Sequence, residues 1–458
     1  MPRTNLLGTR TGRLALFGLL YLGEGLPQGF IATAVALEFK RMGMSAEALG
    51  TFAATVMAPW AWKWLMGPVV DNLHSRRFGR RSQWVVAMQG GMILTLLLAL
   101  TAFPAGGVGG TVPGLALFTS LLLVHNGFAA CQDVAIDAMA VSVLAPEERG
   151  RANGLMFGGA QLGMALGGSG VIALKGLLGF STAALLVPAC IVLLLTLMLR
   201  FVVEPRTIHD PDVPAPGMQA VAVEVRDYLH TVFKVFFTTR RGFLGLVLAL
   251  LPAGCLSLSL TLSNVISPTL GMSDDEIAAL GVASSVVFAL ACLGGGAVSD
   301  RFGRRISLAA FAGATALPTL WMAWRLHAAG WENAPAALGD GTWPRADGLI
   351  VDWAVATVVY SGFFGMMYGV RSALYMDIAE PRIAATQFTA SMALLNVVTM
   401  YSYWWEGKAL TPTGEGGWGF TLPQTLLVDV GIGLLFLLVL PLVTAPAAGQ
   451  VSAPVPAE

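Results

Sequence analysis

Apolar residues run through this chain in long stretches separated by short polar turns, without the period-2 alternation of a half-buried strand. A bilayer core of about 30 Å is crossed by roughly 20 apolar residues in a helix. By that rule twelve spans are expected, near 13–37, 46–70, 83–104, 112–143, 152–175, 179–203, 242–266, 276–298, 305–327, 349–376, 384–405 and 422–444. The first follows Arg3, Arg10 and Arg13, yet it continues to Leu37 and contains Glu24 and Gln28, so it reads as a retained helix and not as a signal peptide. The longest polar stretch, 204–241, opens with Pro205, Pro211, Pro214 and Pro216 and then carries an amphipathic pattern from Val221 to Phe237. The expected fold is therefore all-α and integral to a membrane. It has a first half at 1–203, a linker at 204–241 and a second half at 242–458.

Composition strengthens this picture. Hydrophobic residues make up 55% and charged residues 12%, with a mean hydropathy of +0.70. Soluble domains carry about 25% charged residues, so lipid must replace water over much of the surface. Net charge is zero, which gives no field for nucleic acid. Cys131, Cys190, Cys255 and Cys292 lie in apolar runs without metal-ligand spacing, so reduced thiols and no metal or cofactor are expected. Of the 27 Lys and Arg, 19 fall on the side of the N-terminus and six on the other. That bias predicts cytoplasmic termini.

One turn occurs twice. Gly67-Pro-Val-Val-Asp71 resumes after a short insert as Phe78-Gly79-Arg80-Arg81, and Gly296-Ala-Val-Ser-Asp300-Arg301-Phe302-Gly303-Arg304-Arg305 repeats it. The two lead glycines are 296 − 67 = 229 residues apart, half of the 458-residue chain. A cationic turn repeated at half-chain spacing points to two related halves. Its Asp and Arg residues can form a charge-assisted latch between access states, or they can serve only as positive-inside anchors. These residues resemble the signature turn of the major facilitator superfamily. Gly25-Leu26-Pro27, Pro59-Trp60-Ala61-Trp62-Lys63-Trp64-Leu65-Met66-Gly67-Pro68, Gln132-Asp133 with Asp137, and Pro146-Glu147-Glu148-Arg149-Gly150 further resemble the AmpG-type permeases. That branch includes muropeptide permeases, acetyl-CoA transporters and siderophore permeases. The resemblance implies import of a mid-sized solute across a bacterial inner membrane.

A charge within the bilayer costs about 2.5–3.5 kcal/mol even on the insertion scale, so each needs a reason. Asp133 and Asp137 share one helix face, about 40° apart, and can carry protons as a cavity changes sides; Asp137 can instead cap or anchor near the membrane surface. His125 and Gln132 extend a polar stripe down the same helix. Glu24 precedes Gly25-Leu26-Pro27, where proline frees a carbonyl and predicts a kink. Glu24 is either a proton carrier or the partner of a buried cation, for which Lys63 is the natural candidate. Arg371 can bind an anionic solute with its planar fork, or pair with Asp377 or a fourth-helix carboxylate as a gate. Tyr368 and Tyr375 lie three before and four after it, on the same face. Trp60 and Trp64 share a face that Trp62 opposes. Gly167-Gly168-Ser169-Gly170 and Gly294-Gly295-Gly296 lack a following Lys-Ser/Thr and read as helix-packing contacts.

The expected function is a monomeric secondary transporter, proton-driven, for an anionic solute. The alternative is a transport-inactive sensor or assembly factor on the same fold. An enzyme is not expected: no nucleotide motif is present, and of the five histidines only His125 lies mid-span.

Overall fold

A computed structural model describes residues 5–72, 79, 81–104, 112–204, 218–332, 344–378 and 384–443, and these fold into an all-helical, membrane-spanning protein. With no water to satisfy them, backbone groups in lipid must bond within their own helix, and that dictates the architecture. In chain order the helices are α1 (Arg10–Arg41), α2 (46–72), α3 (Ser82–Thr101), α4 (Leu115–Val143), α5 (146–178) and α6 (Phe180–Phe201). There follow α7 (Met218–Thr238), α8 (Arg240–Leu250), α9 (Thr261–Thr269), α10 (Asp274–Phe302), α11 (Arg304–Ala328), α12 (Asp347–Ile378), α13 (Ala384–Leu410) and α14 (Leu422–Val439). Nine of these are long and apolar enough to span a bilayer by length and composition alone. Three further expected spans are less regular. They are α2, which tightens into a 3-10 turn at Lys63–Met66, the broken pair α8–α9, and α13, with Asn396, Glu406 and Lys408 among its polar residues.

The expected kink of the first helix takes another form. Helix α1 keeps α geometry through Pro27 and then widens into a π turn at Phe30–Val35, and α5 widens likewise at Leu166–Gly170. These two helices lie so close that a Cβ on Gly167 would sit 1.9 Å from the carbonyl oxygen of Leu26. The glycine run there is a packing contact, as its composition suggested.

The continuous span expected at 242–266 is also corrected. Its helix stops at Leu250 and restarts at Thr261. Pro252 lacks a donor and Gly254 sits at φ +78°, so the α ladder cannot run through. The freed amides find other acceptors. Asp429 of α14 accepts from the amides of Leu256 (3.0 Å) and Ser257 (3.1 Å), and Glu406 of α13 accepts from the amide of Leu262 (3.2 Å).

The repeated turn carries a left-handed glycine in each copy. Gly79 sits at φ +92° and Gly303 at φ +87°, a region that only glycine enters without strain. In the first copy Glu204 closes the turn, its Oε2 accepting from the amides of Arg81 (2.9 Å) and Ser82 (3.0 Å) at the start of α3. A carboxylate at that helix N-terminus satisfies otherwise orphaned donors. Arg80 and the side chains of Asp71 and Asp300 lie outside the described residues, so the expected latch is not visible. The backbones of Gly67 and Gly296 are helical, and Arg301 is exposed and lies 5.6 Å from the centre of the Phe302 ring. Arg304 and Arg305 begin α11 and are half-buried.

Candidate functional site

Four of the expected residues converge. Asp133 and Asp137 of α4, Glu24 of α1 and Lys63 of α2 form one polar cluster between three helices. Lys63 Nζ lies 2.5 Å from Asp133 Oδ2 and 5.6 Å from the centre of the Trp60 ring. The pairing of Lys63 with Glu24 is therefore corrected: its hydrogen-bonded partner is Asp133. Glu24 instead accepts from Gln28 Nε2 at 3.3 Å, one turn on along the same helix, while its Oε2 is buried without a hydrogen-bond partner. The Asp133 and Glu24 carboxyl groups lie near enough for their charges to interact. Asp137 is exposed, and the Tyr21 hydroxyl donates to it at 2.5 Å. Three carboxyl groups around one ammonium leave 3 − 1 = 2 negative charges to be balanced by protons or by a cationic part of a solute.

Arg371 faces this cluster across a bridge of rings. Tyr21 meets Phe157 edge-on at 6.5 Å, Phe157 meets Tyr368 edge-on at 5.9 Å, and the Arg371 guanidinium lies 5.0 Å from the centre of the Tyr368 ring. The charges of Lys63 and Asp133 are close enough to act on the Tyr368 hydroxyl. Arg371 is only 7% exposed, and its Nε is buried without a hydrogen-bond partner. No fourth-helix carboxylate pairs with it among the described residues, and the Asp377 side chain lies outside them. Tyr375, one turn on, is buried with an unpartnered hydroxyl close to the Arg371 charge. A buried guanidinium without an anion is costly.

The polar stripe is corrected in part. His125 is fully buried and turned toward α3, its Nδ1 lying 3.3 Å from both Thr95 Oγ1 and the Met92 carbonyl oxygen, away from the cluster. Gln132 is buried beside Asp133 in sequence, with Oε1 unpartnered. Of the second-helix tryptophans, Trp60 is 4% and Trp62 60% exposed, which fits the expected opposition of faces.

Sequence reasoning missed the ties between the chain before the linker and the chain after it. Among the described residues three ion pairs join them, Arg41–Asp274, Lys175–Asp274 (3.7 Å) and Lys408–Glu47, all at the face opposite the N-terminus. There Lys175 also pairs with Glu38, and Asn264 Nδ2 donates to the Ala32 carbonyl at 3.0 Å. At the N-terminal face, among the described residues, Arg10 and Arg13 reach Glu148 within the first part of the chain. Arg13 grips Glu148 with two bonds of 2.9 and 2.6 Å, which holds the Glu148 carboxyl below its ordinary range. Asp429 and Glu406 were also missed. A lone carboxylate in an apolar span is the signal that would have found them.

A chain of spanning helices with charges buried between them is the build of a membrane transporter, and this chain belongs to the Major Facilitator Superfamily, whose family model matches residues 13–402. Among curated relatives it is similar to the anhydromuropeptide permease of Escherichia coli K12, 29% identical over 224 residues. That match covers 47% of this chain and 42% of the relative, so the alignment spans under half the relative's length. Its fold is similar to the inward open conformation of the xylose transporter XylE from E. coli, with a TM-score of 0.66 at 14% identity over 96% of this chain and 98% of that one. The nucleoside transporter NupG matches with a TM-score of 0.59 at 12% identity, covering 94% of this chain and 98% of that one.

Proposed function

We propose that this chain is a proton-coupled importer of a mid-sized anionic solute, such as a muropeptide or a siderophore, working by alternating access. The observation that carries the reading is the buried Arg371, without a carboxylate partner among the described residues, set across an aromatic bridge from the carboxyl cluster of Glu24, Asp133 and Asp137. An anionic group of the solute pairs with Arg371, whose fork binds carboxylate or phosphate with two parallel bonds. Protons balance the excess negative charge of the cluster. Lys63 competes with them for Asp133, so proton and solute occupancy shift the ion pair and with it the packing of α1, α2 and α4.

The halves are 1–203 and 242–458, joined by 204–241. With the N-terminus in the cytoplasm of a bacterial inner membrane, the ion pairs of the far face close the outer side. The exposed Asp137 then faces an inward-directed opening. The likeness to a muropeptide permease over part of the chain favours that substrate class.

The test is uptake into proteoliposomes carrying an inward proton gradient, with labelled anhydromuropeptide, ferric siderophore and CoA thioester compared. Uptake of one class that collapses with a protonophore and with Arg371→Gln is the expected result. Binding of a muropeptide without any uptake would favour the sensor reading instead, and uptake that ignores the proton gradient would remove the coupling.

A further inference from the structure

We infer that the linker helix α7 builds a binding site for an anionic phospholipid of the leaflet on the N-terminal face. A cavity of about 500 Å³ lies between α7, α8, α13 and the end of α2, lined by Trp64, Leu229, Phe233, Phe236, Ala390 and Leu394, with His230 also on its wall. That volume is in the range of cavities that hold small ligands, about 300–1,000 Å³. Nearly all of its wall is hydrocarbon or aromatic ring, so a polar solute would lose its hydration there with little in return. An acyl chain loses nothing.

The surroundings choose the headgroup. On α7 the lining residues Leu229, His230, Phe233, Phe236 and Phe237 recur at helical spacing, so one face of this helix turns to the cavity. Phe233 and Phe237 are also 62% and 54% exposed, which suits a helix lying at the level of the lipid headgroups. On α7 Lys234 follows the lining Phe233 at the flank of that face, and Arg240 begins the next helix. Both are exposed, and neither pairs with a carboxylate among the described residues. Exposed basic residues next in sequence to the walls of an apolar cavity at the membrane surface complement a phosphate headgroup whose tail fills the cavity.

The site also spans the seam of the molecule. Trp64 comes from the chain before the linker, while Leu246, Ala390 and Leu394 come from the chain after it. A tail lodged there is squeezed or released whenever α2 and α13 move relative to one another, so lipid occupancy biases that movement.

Native mass spectrometry of the purified full chain, titrated with phosphatidylglycerol or phosphatidylcholine, tests this directly. A photoactivatable phosphatidylglycerol with its diazirine on the acyl chain then locates the contact. The expected result is a preference for phosphatidylglycerol, with label enriched in the peptides around 229–237 and 390–394. Replacing both Lys234 and Arg240 with Gln is expected to weaken phosphatidylglycerol binding by about thirtyfold, since each basic residue near the surface contributes about 1 kcal/mol. Ala390→Phe fills the cavity without touching charge, and it should abolish the label while sparing the melting temperature. Equal binding of both lipids that survives either variant would overturn the proposal, as would label spread evenly around the protein.

Discussion

Lys63 and Arg371 are both cations within the membrane, and their surroundings predict opposite responses to mutation. Lys63 is held 2.5 Å from a buried Asp133. Removing it as Lys63→Met strands that carboxylate, and a broken buried pair costs about 3–5 kcal/mol. A clear fall in melting temperature in detergent is expected, largely recovered in the double variant with Asp133→Asn, which should still not transport. Arg371 has no such partner among the described residues. Arg371→Gln should therefore leave the melting temperature unchanged or raised while abolishing uptake, as expected where a residue is kept for function at a cost in stability. A large loss of stability in Arg371→Gln would point to a structural role. Glu148 supplies a pH-dependent contact outside the membrane. Because Arg13 depresses its pKa, the contact stabilises fully above the ordinary glutamate value of about 4.3 and is lost as pH falls through the lower folded value. Melting temperature followed from pH 7 to pH 3 should fall less in Glu148→Gln than in the parent.

Among the elements, the repeated turn and the broken helix α8–α9 carry the clearest expectations. Gly303→Ala forces a side chain into a glycine-only conformation, costing about 1–3 kcal/mol. Gly79→Ala should cost more, because its Cβ would also fall 2.7 Å from Glu204 Oε2 and displace the cap of α3. Comparing the two melting temperatures checks that order. The turn was legible in the sequence because repetition itself was the signal. The break between Leu250 and Thr261 was not, although Pro252 and Gly254 mark it. Hydropathy averaged over a span does not register a local loss of amide partners. Nor does it reveal that Asp429 and Glu406, from helices far along the chain, supply the acceptors that make the break tolerable.

At the scale of the molecule, the ion pairs linking the two parts of the chain sit at one face. Weakening them should shift the balance between access states. In the double variant Glu47→Gln with Asp274→Asn, spin labels at Met42 and Asp275 should show a longer distance population than in the parent protein. An unchanged distribution would mean that these pairs do not hold the face closed. The individual pairs are partly exposed and each contributes little alone, which is why two are removed together.

The sequence by itself determined the solvent of this protein and the approximate limits of most of its spans. Those properties follow from residue order, because hydrophobic length and helical rise are local. It placed Glu24, Lys63, Asp133 and Arg371 within the membrane. It did not say which would meet. Partnership depends on the rotation and tilt of each helix, set by contacts such as the close approach of α1 to α5 at Gly167. That packing turned Lys63 to Asp133 and not to Glu24, took His125 out of the polar cluster toward Thr95, and left Arg371 stacked on Tyr368 without a carboxylate among the described residues. Charge was written along the chain, and only tertiary packing decided which charges were answered.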